Sequence, residues 1–529
     1  MKTRIAGVAL LAALVLPSAA HAQPTGATRP RTLSEDLQLF SQVLNQIRVN
    51  HPDSLDAHRV MMSAIQGLVS ATDPHSYVIP ATRLSADRLA QLRAGRLMEV
   101  PIEFQYVGSV PVVAAVAPGT RAAREDILQG DVLIAVDGRP VLAESAMELS
   151  AFLAGPRGST VNLRFERERT DGTRVELDRP VRRERGDEES AVPVAIMLDG
   201  QTGYLRVTTF SNERVFEDLR AAVSRLESAG MRRLLLDLRD NGGGIVSEAS
   251  SIASLFLPTG ATVYMSEGRK AEVRDSVVVR GGLFRRDRAY PLVVMVNEGT
   301  ASASELLSGA LQDHDRALIV GRPTFGKALL MQGFPLSDGS LMMLVIGHVK
   351  TPCGRIVQRQ YRGIRQADYY RLARAQRDTA GRPTCRTAGG RTVYGGGGIY
   401  PDVLMPEEEP TPSWLARLSE QGIVTRWVGA YLTEQAAAFT TADALAANPR
   451  LPAGGLAGFR AFAAQQGQTL PQSADADRAL ERMLLPALAG ARWGAAGFYR
   501  VTAALDPQIA AAAAEFGRAG QILNAAPSP

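Results

Sequence analysis

Apolar positions change period several times along the chain. From Leu33 to Leu92 they recur at helical spacing. Leu37, Leu39, Phe40, Val43, Leu44 and Ile47 form one stripe, and Met61, Met62, Ile65, Leu68 and Val69 another. Asp73-Pro74-His75-Ser76 interrupts this pattern, and a histidine in such a turn reads as a structural hydrogen-bonder rather than a base. Residues 96–186 read as short strands. They include Val110 to Val116, the run Gly130 to Gly138 closed by an Asp-Gly turn, and Gly158 to Phe165; a helix from Ala143 to Leu153 lies among them. Residues 191–350 alternate strand and helix, which predicts an α/β layer. Its strands are Tyr204 to Phe210, Leu234 to Leu238, Leu292 to Val296 and Ala317 to Val320. Its helices follow Val215, Val246 and Ser304. Residues 351–398 are basic and rich in Tyr, Gln and Arg, and read as a solvated insertion with helical character. Glu407 to Pro410 reads as a linker. From Trp414 to Leu523 the chain is Ala-rich and helical, with breaks expected around Pro452 and Pro486.

The first residues add a destination. Lys2 and Arg4, an apolar run over residues 6–16, and Ala20-His21-Ala22 form the three parts of a secretory signal, too short for a membrane span. A periplasmic or secreted protein is expected, with residues 23–32 disordered. Its 529 residues imply more than one domain. The net charge of +5 is spread among interspersed charges of both signs, which argues against a nucleic-acid partner. The two cysteines, Cys353 and Cys385, are candidates for a disulfide in an oxidising compartment and make a weak metal site.

Candidate chemistry gathers between Val296 and Met331. Ser302 stands where a strand gives way to a helix, so backbone amides and the helix N-terminus favour developing negative charge there. Lys327 is flanked by Phe325, Ala328, Leu329 and Leu330, apolar neighbours that depress an amine pKa, as a lysine base requires. The alternative is a helix-capping serine cluster and a surface lysine. The Gly242-Gly243-Gly244 turn lacks the pattern of a phosphate or dinucleotide loop. Its amides are suited to approaching a reacting oxygen.

The order of motifs resembles the C-terminal processing proteases, exported tricorn-like serine peptidases with an embedded PDZ domain. The matching stretches are D-P-H-S at 73–76, G-D-V-L-I-A-V-D-G at 130–138, L-D-L-R-D-N-G-G-G at 236–244, V-N-E-G-T-A-S-A-S-E at 296–305, A-L-I-V-G-R-P-T-F-G-K at 317–327, P-L-S-D-G-S at 335–340 and G-I-Y-P-D-V at 398–403. The resemblance covers about residues 35–405. It implies a multidomain α/β protein, with a crotonase/ClpP-like protease core, an inserted PDZ β-domain, N-terminal helices and a C-terminal helical region. The expected boundaries are 1–22 for the signal, 23–95 for the linker and N-terminal helices, 96–186 for the PDZ-like domain, 187–410 for the core and 411–529 for the helical tail. It implies Ser302 as nucleophile, Lys327 as general base, and the backbone N–H groups of Gly243 and Ala303 as oxyanion donors, with no cofactor and no metal. The implied reaction is peptide-bond hydrolysis through an acyl-enzyme. The implied partners are protein or peptide substrates with exposed C-terminal tails; an adaptor protein and a homo-oligomer stay open. Two departures stand out. Met331 occupies the position where the family carries a glutamine that orients the lysine, leaving Gln332, reached through a local bulge, or no third member. Glu99 lies where a carboxylate-binding loop would hold glycines. A rival reading is a catalytically impaired PDZ-containing peptide-binding protein.

Overall fold

The computed structural model describes residues 31–79, 97–107, 110–117, 120–122, 125–141, 149, 152–184, 190–281, 288–338, 340–364, 366–375, 378–406 and 411–525. The secretory signal, the Glu407 to Pro410 linker and most of the expected helix from Ala143 to Leu153 lie outside these residues. The chain divides into two units, residues 1–65 and 66–529.

The first unit carries the helix Leu33–Asn50. Thr32 and Glu35 close its N-terminus as a capping box, each side chain reaching the other's backbone N–H. Its apolar stripe lies uncovered, with Leu37 58% and Val43 50% exposed. The helix Ala57–Ser70 runs over the boundary between the units.

The second unit is built on a six-stranded sheet ordered Val194–Met197, Thr202–Arg206, Arg233–Asp237, Leu292–Val296, Leu318–Gly321 and Val403–Leu404. The first pair is antiparallel and the others are parallel. The buried strands read as continuous apolar runs because both faces are covered. Leu234 and Leu236 point to one face and join the core with the helices Val215–Ser228, Val246–Ala253 and Ala303–Asp313. Leu235 points to the other face, where Ile509, Ala512 and Phe516 of the C-terminal helices cover it. On Val215–Ser228 the buried positions are Val215, Leu219, Ala222, Val223 and Leu226, one helical stripe. Each of the Val and Leu side chains contributes about 1.5–3 kcal/mol through burial. A second, antiparallel sheet joins Tyr77–Ile79, Leu341–Lys350, Thr262–Gly268 and Asp275–Val278, with Leu329–Pro335 also paired to Leu341–Lys350.

The inserted β-domain is the sheet Ile102–Val107, Val110–Val116, Val132–Val136, Thr160–Glu168 and Arg174–Arg182. Ile102–Val107 is an edge strand, and Glu99 just before it is exposed. The C-terminal helices grip this domain. Arg426 pairs with Glu168 at 3.2 Å and Gln466 donates to the same carboxylate at 2.6 Å. A Cβ on Gly130 would stand 2.6 Å from the carbonyl oxygen of Thr425.

The expected break at Pro486 does not occur. The long helix Ala474–Leu505 passes through Pro486 and loses helical geometry at Trp493 and Gly494, where Gly494 takes φ 68°. A left-handed residue interrupts a helix more completely than one missing N–H, and glycine adopts it at little cost. The 351–398 segment contains the helix Gln366–Ala375 and the hairpin Thr384–Arg386/Thr392–Tyr394. Cys353 and Cys385 are joined as a disulfide with Cα atoms 6.3 Å apart. Arg355 and Asp313, both 1% exposed in their side chains, tie this segment to the end of the helix Ala303–Asp313.

Candidate active site

Two turns meet at the carboxyl ends of the parallel strands. One follows Arg233–Asp237 and carries Gly242 to Gly244. The other follows Leu292–Val296 and ends in Ser302. They are stitched by Ala301 N to Asn241 O at 3.0 Å, Ser304 Oγ to Asn241 O at 2.9 Å and Thr300 Oγ1 to Leu238 O at 2.9 Å. Ser302 has φ 58° and ψ −119°. Positive φ at a non-glycine residue costs on the order of 1–3 kcal/mol and persists only where its surroundings impose it. That strained strand-to-helix turn is the geometry of a nucleophile elbow.

Gly243 lies against this turn. With φ +93°, a Cβ there would stand 2.7 Å from Ala301 O, 2.8 Å from Ala303 N and 2.8 Å from Ser302 Cβ. Only glycine permits that approach. The two expected oxyanion donors therefore belong to one cluster but are in different states. Ala303 N makes no hydrogen bond among the described residues, whereas Gly243 N donates to Asn241 Oδ1 at 3.0 Å.

Glu305 organises the whole site, and the residue-by-residue reading of the sequence gave it no role. It is fully buried, and its carboxylate accepts four hydrogen bonds. Oε1 receives Thr324 Oγ1 at 2.5 Å and Gly326 N at 2.8 Å. Oε2 receives Ser302 N at 2.9 Å and Lys327 N at 2.8 Å. The backbones of Ser302 and Lys327 thus share a single acceptor oxygen. Burial raises the Glu305 carboxyl above its ordinary value, and the four donors oppose that shift. The signal for it was present as the capping-box spacing Ser302-x-x-Glu305.

Lys327 is partly buried, and burial lowers its amine pKa, against the raising influence of Glu305 and Asp73. Asp73 accepts from His75 N, Ser76 N, Ser76 Oγ and Thr72 Oγ1. His75, 6% exposed, has its pKa pushed down to about 4 by burial first and by the nearby Lys327 charge second. Gln332 is exposed, and among the described residues its side chain makes no hydrogen bond. The strand Leu329–Pro335 does carry an irregularity between Leu330 and Met331, and it leaves Met331 half-buried. Asp73, Glu267, Arg269, Arg274, His348 and Tyr361 line a cavity of about 730 Å³.

Behind the glycine turn, Arg239 binds Asp237 through Nε at 3.0 Å and Nη2 at 2.6 Å. Its Nη2 also reaches Asp506 at 2.6 Å, and its Nη1 reaches Gln508 at 2.9 Å. The C-terminal helices therefore hold the back of the turn.

Comparison with known proteins agrees with this arrangement. Residues 201–367 match the model of peptidase family S41, and residues 112–167 match a PDZ domain. A carboxy-terminal-processing protease of Bartonella bacilliformis is 29% identical over 358 residues, 67% of this chain and 79% of that protein. The carboxyl-terminal-processing protease of Synechocystis is 33% identical over 301 residues, 55% and 66% of the two chains. The chloroplastic carboxyl-terminal-processing peptidase 2 of Arabidopsis thaliana is 36% identical over 247 residues, 46% of each chain. With a PDZ domain inserted ahead of an α/β core that carries these motifs, the chain belongs to peptidase family S41, the serine peptidases known as carboxy-terminal-processing proteases.

Proposed function

We propose that the chain is an exported endopeptidase that hydrolyses peptide bonds of protein substrates through Ser302 and Lys327. Ser302 Oγ attacks the scissile carbonyl carbon and passes its proton to the neutral Lys327 amine. Lys327 returns that proton to the leaving amine, and water then hydrolyses the ester on Ser302. The Ala303 and Gly243 amides stabilise the oxyanion, which requires the Gly243 N–H to exchange Asn241 Oδ1 for substrate. The observation that carries this reading is the single Glu305 oxygen shared by the Ser302 and Lys327 backbones, beside a strained Ser302. The depressed amine of Lys327 supports it. No third member is assigned at Met331 or Gln332.

The substrates proposed are unfolded chains with free C-terminal tails, supported by the edge strand Ile102–Val107, to which an extended peptide can add. Export follows from the signal pattern over residues 1–22. A second reading, a peptide-binding protein of impaired turnover, draws on the Gly243 N–H being committed to Asn241. Casein cleavage by the mature chain beside Ser302→Ala and Lys327→Ala decides between them. Cleavage that both variants lose supports the peptidase. A folded parent without cleavage supports the binding protein.

A further inference from the structure

The helix Gln366–Ala375 extends past the last residue of the S41 match, and nothing above gives it a task. Its Tyr369 is fully buried. The Tyr369 hydroxyl lies 3.0 Å from His75 Nε2, 3.1 Å from Gln358 Nε2 and 3.5 Å from Gly326 O. Gln358 Oε1 in turn accepts from Ala328 N at 2.9 Å. Gly326 and Ala328 are the two chain neighbours of Lys327. Gln358 therefore holds the residue after the lysine, while Glu305 takes the N–H groups of Gly326 and of Lys327 itself.

The hydrogen-bond directions are consistent. Gln358 Nε2 can only donate, so the Tyr369 oxygen accepts from it; its single O–H goes to the nearer acceptor, His75 Nε2 at 3.0 Å, and the 3.5 Å approach to Gly326 O is then a contact and not a second hydrogen bond. That choice gives His75 the neutral Nδ1–H tautomer, and so no second positive charge next to Lys327. The rings of His75 and Phe325 both pack edge-on against Tyr369, with centroids 5.2 Å and 6.0 Å away. The charged or titratable groups acting on Lys327 and this cluster are Asp73, His75, Glu305, Arg359, Tyr369 and Tyr370.

We propose that Tyr369 is a positioning residue for Lys327. By joining His75 to Gln358 it holds the Gly326–Ala328 turn and keeps water from the amine, a task for which Met331 offers no polar group. This rests on the Ser302/Lys327 reading. The neutral amine is the reactive form, so the rate rises with pH through the Lys327 pKa. Admitting water raises that pKa and moves the rising limb to higher pH.

The test is turnover of a quenched-fluorescence peptide across pH by the full mature chain and its variants. Tyr369→Phe keeps the ring and removes one hydroxyl; kcat is expected to fall roughly three- to tenfold with KM little changed. Tyr369→Ala is expected to displace the rising limb to higher pH. Arg371→Ala, on the exposed side of the same helix, keeps the parental profile. Should both Tyr369 variants keep the parental kcat and pH limb, or lose only thermal stability, Tyr369 is a packing residue and the proposal fails. Because Tyr369→Phe preserves packing, a misfolded Tyr369→Ala does not spare the proposal. Turnover retained by Lys327→Ala would instead remove the lysine base itself, an outcome distinct from a null result at Tyr369.

Discussion

Glu305→Gln is the sharpest perturbation of the site because it changes no volume. The carboxylate offers two acceptor oxygens to four donors. A glutamine offers one oxygen and one NH2 group. Whichever way the amide turns, two donors lose their acceptor, and at least one of them is a backbone N–H pointed at another N–H. Two hydrogen bonds to a charged acceptor are worth about 1.5–3 kcal/mol each. Part of that is returned, since a neutral amide is easier to bury than a carboxylate. A net cost of about 3 kcal/mol follows. If the amide NH2 faces the Oε2 position, Ser302 and Lys327 lose their common anchor. If the whole cost falls on the transition state, kcat drops roughly 150-fold. Urea unfolding of the mature chain and peptide turnover should be measured on the same preparations. Glu305→Asp, shorter by one methylene, should fall between parent and Glu305→Gln. A Glu305→Gln enzyme with parental urea midpoint and parental kcat would refute the argument that this carboxylate holds the site together.

Gly243→Ala should abolish turnover without unfolding the sheet, because the new Cβ meets Ala301 O, Ala303 N and Ser302 Cβ at 2.7–2.8 Å; casein cleavage and circular dichroism check it. His75 carries a folded pKa depressed from 6.5 to about 4, so the unfolded chain gains its proton first as pH falls. Stability should therefore decline between pH 6.5 and pH 4 by up to about 3 kcal/mol, and His75→Asn should flatten that decline in urea titrations. Removing the disulfide by Cys353→Ser with Cys385→Ser opens a loop with a sequence separation of 32 and should cost about 3–4 kcal/mol on the loop-entropy model, seen as a lower melting temperature. Gly429→Ala improves helix propensity by roughly 1 kcal/mol. It nevertheless drives a methyl into the Gln129 carbonyl, so faster nicking of the PDZ domain in limited proteolysis is expected.

The elements legible in the sequence were those whose apolar period was unambiguous. Leu292–Val296 begins and ends as expected, and Leu234 to Leu238 is displaced by one residue. Tyr204 to Phe210 was read too long: the ladder stops at Arg206, whose guanidinium turns toward Asp237. Small and apolar neighbours make Ser302 and Lys327 candidates only, equally readable as a capping serine and a surface lysine, and it is the order of the family motifs around them that gives them the roles proposed. Glu305 lies within the 296–305 motif but shows no chemistry in the sequence, since an acidic residue in a first helical turn ordinarily just favours the helix dipole. One of its four partners is its near neighbour Ser302, and the other three come from the single stretch Thr324 to Lys327, which only the fold brings to it. Tyr369 was hidden for a different reason. It sits in a basic, polar segment that reads as a solvated surface, and only the chain's return to His75 and Gln358 buries it.

The segments outside the family motifs converge on the two halves of the site. Tyr369 reaches the turn that carries Lys327 through Gln358, and Asp506 with Gln508 reaches the arginine behind the glycine turn. Both attachments are polar and buried or partly buried, and a hydrogen bond of that kind depends on geometry more steeply than an apolar contact does. A displacement of the C-terminal helices that their oily packing tolerates would still unseat Arg239. Other helices of the same C-terminal region hold the PDZ domain through Arg426 and Gln466 on Glu168, and the helix Ala474–Leu505 packs against them and ends next to Asp506. The PDZ domain and the arginine behind the Gly242 to Gly244 turn are therefore both attached to the C-terminal region. On the proposed mechanism, the Asn241 bond to Gly243 N is what a movement passed from one attachment to the other would release.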